Sequence, residues 1–134
     1  MSLLDVNLDD VPELEHLPDN TEIMLRVKRA EITEQKKNPK RYNVALVLDV
    51  PERPLVDDVR VWVPVPSPEQ RAEDPKAFAK TAGYFKEFLA AFRVEMPIDV
   101  SDLLGKEAWG IVSEDINPNS GLPQNGVRRF VARR

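Results

Sequence analysis

The sequence contains no cysteine and only one histidine, His16, among its 134 residues. The absence of cysteine excludes disulfide bonds, thiolate metal sites and cysteine nucleophiles, and it is compatible with a reducing compartment. A single histidine without cysteine cannot supply the ligands of a typical zinc site. We therefore expect no disulfide framework, no bound metal and no other cofactor.

Motifs of common enzymes and long apolar runs are also missing. The sequence has neither a phosphate-binding glycine loop nor a GxSxG element. The early acids Asp9, Asp10, Glu13 and Glu15 lack the spacing and the glycine of a calcium-binding loop. No stretch approaches the roughly 18 apolar residues of a membrane span, and the acidic start lacks the core of a signal peptide. These absences predict a soluble, cytoplasmic protein without a membrane partner, which binds a ligand and is not an enzyme.

Charge is distributed unevenly along the chain. The net charge of −4, taken alone, argues against a nucleic-acid binder. Residues 1–22 contain seven acids and no Lys or Arg, so these −7 charges leave +3 for residues 23–134. The basic residues of that second part form two clusters: Lys36, Lys37, Lys40 and Arg41, and then Arg128, Arg129, Arg133 and Arg134. Because local potential steers a polyanion, these clusters are compatible with nucleic-acid binding.

Apolar residues alternate with polar ones in five segments, and a period of two predicts half-buried strands. The first segment slips by one step near Lys28-Arg29, which a β-bulge would explain. In the third segment four valines share one face, and Arg60, Trp62 and Pro64 share the other. The predicted strands are residues 22–32, 42–50, 59–65, 106–114 and 126–133.

One helix is predicted between the third and fourth strands. Asp74 suits the N-cap and Pro75 the first helical position. An apolar stripe follows at helical spacing, formed by Phe78, Ala82, Phe85, Leu89 and Phe92. Residues 101–105 predict one further helical turn that ends at a glycine.

The order strand, strand, strand, helix, strand, strand is that of the OB-fold, a five-stranded, partly open Greek-key barrel. We therefore predict a mainly β protein with an OB-fold-like Greek-key barrel and one helix between strands 3 and 4. Residues 1–21 are predicted to form an acidic N-terminal arm, and residues 22–134 the OB-fold-like domain. An open five-stranded sheet with a covering helix would give the same order and remains an alternative.

Four segments also carry a family resemblance. They are HLPDNTEIMLRVKRAEI (16–32), YNVALVLDV (42–50) after a basic loop, DLLGKEAWGIV (102–112) after the helix, and NGVRRF (125–130). In this layout the chain resembles phage and prophage proteins of the domain family of unknown function numbered 669. That family is similar to the single-stranded-DNA-binding OB domains of phage replication and recombination modules. The resemblance implies an OB-fold and a binding role, and it assigns no individual site residue.

Single-strand binders combine a basic groove with aromatic side chains on which bases stack. An OB-fold presents its ligand to strands 2 and 3 and to the loops that join strands 1–2 and 4–5. Arg128 and Arg129 lie on opposite faces of one strand, so at most one of them enters a single groove. The predicted nucleic-acid-binding residues are Lys36, Lys37, Lys40, Arg41, Tyr42, Arg60, Trp62 and Arg129.

Each of these residues also has a simpler interpretation. The lysines could belong to a solvated loop, Tyr42 could be an edge aromatic, and Trp62 could pack under the arm or in a dimer contact. Trp109 and Phe130 are interpreted as core residues.

The leading hypothesis is a sequence-tolerant single-stranded DNA-binding protein of a phage or prophage, which supports replication or recombination. RNA as the ligand, self-association, and replication or recombination proteins as partners stay open. The alternative is a protein-interaction module, an accessory or anti-defence protein, that uses the acidic arm and the same barrel.

Overall fold

The computed structural model describes residues 3–5, 8–9, 11–38 and 40–133. Asp10 and Arg134, which belong to the charged clusters of the sequence, lie outside the described residues. The described chain forms five strands, two helices and a 3-10 turn. In chain order these are β1 Glu22–Glu34, β2 Tyr42–Asp49, β3 Val59–Pro64, α1 Pro68–Glu73, α2 Pro75–Phe92, the 3-10 turn Val100–Leu103, β4 Glu107–Ile116 and β5 Pro123–Val131.

The five strands form one antiparallel sheet in the order β3-β2-β1-β4-β5, which confirms the mainly β architecture with five strands. β1 is the central strand, and it pairs with β4 along its first half and with β2 along its second half. The register between β1 and β2 shifts between Val27 and Arg29, which confirms the predicted bulge near Lys28. Because a bulge bends its strand, β1 changes direction between the part that pairs with β4 and the part that pairs with β2. Among the described residues no ladder joins the edge strands β3 and β5, although the two approach each other.

α2 covers the inward face of the sheet. Asp74 caps this helix by accepting a hydrogen bond from the Ala77 N–H, as predicted. The rings of Phe88 and Phe92 meet Phe130 of β5 with centroid distances of 5.5 and 5.4 Å. The predicted stripe omitted Phe88, which is fully buried because it lies four positions before Phe92 on the same helical face. The preceding short helix, α1, was also not predicted.

Of the two predicted core aromatics, Phe130 is buried and Trp109 is only half-buried. The Arg133 guanidinium lies 3.6 Å from the centroid of the Trp109 ring and covers part of the indole. Tyr84 of α2 donates a hydrogen bond to the carbonyl of Val127 in β5, at 3.1 Å. Burial, together with the nearby Glu87 carboxylate, raises the pKa of Tyr84 to about 12. The hydrogen bond of Tyr84 therefore joins α2 to the edge strand β5.

The later residues of the predicted arm, Glu15 to Leu17, lie between the segment before β3 and strand β5. The Glu15 N–H donates to the carbonyl of Leu55, and its carbonyl accepts from the Asp57 N–H. Leu17 is fully buried. The Asn125 amide of β5 accepts from the Leu17 N–H and donates to the Leu17 carbonyl, both at 2.8 Å. This part of the arm is therefore anchored on both edges of the sheet.

Asp19 adds an ionic contact to this anchor. Its carboxylate accepts a hydrogen bond from the Glu114 N–H and pairs with Arg128 of β5 at 3.0 Å. The Glu114 N–H, and then the Arg128 guanidinium, lower the pKa of Asp19 below its ordinary value of 3.8.

None of the described helices combines the length and the hydrophobicity that crossing a bilayer requires.

Candidate nucleic-acid interface

The outward face of β1, β2 and β3 carries three rows of laterally paired residues. The rows are Arg29–Val47–Arg60, Glu31–Ala45–Trp62 and Thr33–Asn43–Pro64. The alternate residues Val44, Leu46 and Leu48 are buried in the core, so the β2 members of the rows point away from it. Short side chains on β2 thus form the floor of the face, and larger polar or aromatic side chains stand on either side.

Trp62 lies where three surface grooves meet, and 59% of its surface is exposed. The strand groove, of about 590 Å³, includes Arg29, Glu31, Ala45, Val47, Arg60 and Trp62. The loop groove, of about 670 Å³, includes Thr33, Glu34, Lys36, Lys37, Asn43, Trp62 and Pro64. The arm groove, of about 540 Å³, includes Leu14, Asp57, Asp58, Arg60, Trp62 and Asp115.

The three grooves differ in charge. The four cations Arg29, Arg60, Lys36 and Lys37 line the strand and loop grooves, and none has an ion-pair partner among the described residues. Lys28 also lines the strand groove, but it pairs with Asp58 at 2.9 Å. The arm groove is acidic. A polyanion would therefore be attracted to one side of Trp62 and repelled from the other.

The structure brings four of the predicted residues together: Lys36, Lys37, Arg60 and Trp62 surround the meeting point of the strand and loop grooves. Lys40 is exposed in the same β1–β2 loop, but it lines none of the three grooves. The basic loop and the exposed face of β3 are therefore neighbours in space, although some twenty residues separate them in sequence.

Three other predicted residues lie elsewhere. Arg41 pairs with Glu73 of α1 at 2.9 Å. Arg129 pairs with Glu87 of α2 at 3.1 Å. Tyr42 is 46% exposed but precedes Ala45 by three positions, so alternation directs its ring to the other side of the sheet from Trp62. These side chains do not join the three grooves.

Sequence reasoning missed Arg29 and Glu31. In the uninterrupted alternation of β1, Met24, Arg26 and Lys28 share a face, which would leave Arg29 on the core side. Because Lys28 is the extra residue of the bulge, Arg29 and Glu31 pass to the outward face beside Val47 and Ala45. The slip in the apolar pattern was the available signal, and following it one step further would have identified both residues.

The chemistry offered by this face is that of binding. An exposed indole can stack on a base, and unpaired guanidinium and ammonium groups can bind phosphate oxygens. Among the described residues, no group of three or more His, Asp or Glu side chains is arranged to hold a metal ion. Comparison with known protein families found no family model that matches the chain, and no curated protein matches it.

Proposed function

We propose that this protein binds single-stranded DNA without strong sequence preference, and that the grooves around Trp62 are its binding site. The observation that carries the proposal is the exposed indole of Trp62, set among four cations that have no ion-pair partner in the described chain. A stacking platform beside a basic groove is the combination that sequence-tolerant single-strand binders use.

The strand order supports an OB-fold-like assignment within this proposal. In a Greek key the fourth strand returns to lie beside the first, as β4 does in the order β3-β2-β1-β4. The approach of β3 to β5 is compatible with a partly open barrel, and α2 lies between strands 3 and 4 in sequence. An OB-fold presents ligands on strands 2 and 3, the strands that carry Ala45 and Trp62.

In the proposed mechanism, the protein binds the strand through two kinds of contact, base stacking and phosphate neutralisation. Bases stack on the Trp62 indole, and phosphates are neutralised by Lys36 and Lys37 on one side and by Arg29 and Arg60 on the other. Lys40, at the exposed end of the loop, adds a phosphate contact from the rim. Arg41 and Arg129 would have to leave Glu73 and Glu87 before binding phosphate, so we assign them smaller contributions.

The resemblance to the phage and prophage family of unknown function numbered 669 also suggests where the protein acts and in which process. The protein would act in the cytoplasm of a phage-infected or prophage-carrying bacterium, where it covers single strands during replication or recombination. Stacking platforms beside basic grooves bind single-stranded RNA as well as single-stranded DNA, so RNA is the first competitor ligand to measure.

The test uses the Trp109→Phe variant, because Trp62 is then the only tryptophan. The variant is titrated into a labelled oligo-dT of about 30 nucleotides, and into a duplex of equal length, at low and at moderate salt. We expect salt-sensitive binding of the single strand, weaker binding of the duplex, and quenching of the Trp62 emission. Absence of single-strand binding at low salt would refute the proposal.

A second function, docking of a basic protein partner, is favoured by the arm groove. Asp57, Asp58 and Asp115 line this groove with the arm residue Leu14, whose side chain is exposed. Under this alternative, Asp57→Asn with Asp115→Asn would weaken binding of a lysine-rich peptide, and Lys36→Gln with Lys37→Gln would not. The proposed DNA site predicts the reverse order of effects on oligo-dT binding.

A further inference from the structure

The row Glu31–Ala45–Trp62 has a gap at its centre. Neighbouring strands lie about 4.8 Å apart, so the backbones at residues 31 and 62, two strands apart, are separated by roughly 10 Å. Ala45 fills only the bottom of the space between them, because its side chain is a single methyl group. The gap lies within the strand groove, open to solvent, with an indole on one side and a carboxylate on the other.

The carboxylate of Glu31 is out of place in a groove built only for phosphate. It is exposed, and it has no hydrogen-bond or ion-pair partner among the described residues. The next row carries Arg29 and Arg60, the cations proposed to bind phosphate. A negative charge beside them weakens attraction for a polyanion unless it makes a favourable contact with another part of the ligand.

The bases supply such a contact. An ionised carboxylate only accepts hydrogen bonds. Cytosine presents an amino donor at N4 and adenine presents one at N6, whereas thymine presents the acceptor O4 at the corresponding position. A base that stacks on Trp62 above Ala45 with its C4 or C6 substituent toward Glu31 therefore meets the carboxylate favourably when that substituent is the amino group of cytosine or adenine, and unfavourably when it is the O4 of thymine or uracil.

Resting on the proposed single-strand binding, we infer that Glu31 is a specificity-determining residue that favours an amino-bearing base at the position stacked on Trp62. The site then tolerates any sequence through its phosphate contacts, but it prefers cytosine or adenine over thymine at this single position. Ala45 contributes to the same specificity, because a larger side chain at this position would fill the space that the base occupies.

The experiment compares two oligomers of about eight nucleotides, one of thymidine and one of 5-methyldeoxycytidine. The two bases have nearly the same shape and stacking surface and differ in the oxo or amino group that would face Glu31. Affinities are measured by anisotropy for the unmodified protein, Glu31→Gln and Glu52→Gln. We expect the preference of the unmodified protein for 5-methylcytosine to exceed that of Glu31→Gln about three- to tenfold.

Glu52→Gln is the matched control, since it removes the same charge from an exposed position outside the proposed site. Glu52 lies in the turn after β2, is exposed, and lines none of the three grooves. We expect this variant to keep the preference while binding both oligomers more tightly through its reduced negative charge. If both oligomers bind and Glu31→Gln leaves the preference unchanged, the inference is overturned and single-strand binding stands. If neither oligomer binds, the proposed function fails and the inference with it.

Discussion

The two faces of the sheet use aromatic and arginine side chains in opposite ways. On the inward face, Phe88 of α2 and Phe130 of β5 are buried against each other between the helix and the sheet. Nearby, Arg129 forms an ion pair with Glu87 of α2. On the outward face, Trp62 is exposed, and Arg60, two positions away on the same strand, has no ion-pair partner in the described chain.

The difference shows that residue type alone does not decide whether a side chain stabilises the fold or is available to a ligand. A ring covered by α2 has already transferred its apolar surface out of water, which contributes about 1.5–3 kcal/mol to folding. An uncovered ring keeps that surface for a base. In the same way, an arginine bound to a carboxylate must break a contact before it can bind phosphate, whereas an unpaired arginine need not.

The largest expected effect separates the two faces by stability. Phe88→Ala should lower the free energy of unfolding by about 3–5 kcal/mol, because it opens a cavity among the rings beneath α2. Trp62→Ala should change it by less than about 1 kcal/mol, because the indole is largely exposed. Urea unfolding followed by circular dichroism measures both changes. Equal losses in the two variants would contradict the distinction between the faces.

Ligand affinity should show the reverse order. Trp62→Ala should weaken oligo-dT binding by about 1–3 kcal/mol through the loss of base stacking. Trp109→Phe, the control on the other tryptophan, should bind nearly as well as the unmodified protein, because the Trp109 ring is half-buried under Arg133. Anisotropy titration measures both affinities. A loss in the Trp109 variant alone would place the stacking surface elsewhere.

Salt dependence distinguishes basic residues of the grooves from basic residues of the helix. Each phosphate contact to a single strand contributes about 0.7 to the slope of log K against log salt, so Lys36→Gln with Lys37→Gln should reduce the slope by about 1.4. Lys80→Gln with Lys86→Gln removes the same charge from the exposed side of α2 and should leave the slope nearly unchanged. Similar slopes for the two double variants would remove the loop groove from the site.

The smallest expected effect concerns Asp19, the carboxylate that pairs with Arg128. Because the folded-state pKa of Asp19 lies below its ordinary value of 3.8, its charged form stabilises the fold above that pH. This contribution is lost as the pH falls from 3.8 through the lowered folded-state pKa. Asp19→Asn should therefore lower Tm slightly at neutral pH, and the difference in Tm should shrink in strong acid. A difference that does not depend on pH would assign the effect of the substitution to packing instead of charge.

Much of the fold follows from local patterns in the sequence. The alternation of Val59, Val61 and Val63 with Arg60 and Trp62 predicts β3 and its exposed face, and burial confirms it. The cap at Asp74 and the slip near Lys28 were predicted in the same way. These features depend on neighbours within a few residues, where sterics and the side-chain period dominate.

The candidate site was only partly predictable. The basic run predicted Lys36 and Lys37 as site residues, and they line the loop groove with Trp62. The same reasoning included Arg41 and Arg129, whose carboxylate partners are 32 and 42 residues distant in sequence. A local charge pattern contains no information about such distant partners.

By itself, then, the sequence determined the strands, the main helix, the bulge and the exposure of Trp62, because each follows from the period of apolar residues along one segment. Only the tertiary structure decided which of the described cations stay unpaired, that Glu31 faces Trp62 across Ala45, and that the arm residues Glu15 to Leu17 are anchored between the segment before β3 and strand β5. The physical reason is that these properties depend on the register between strands and on contacts between distant segments, and pairing is settled only when the whole sheet has formed.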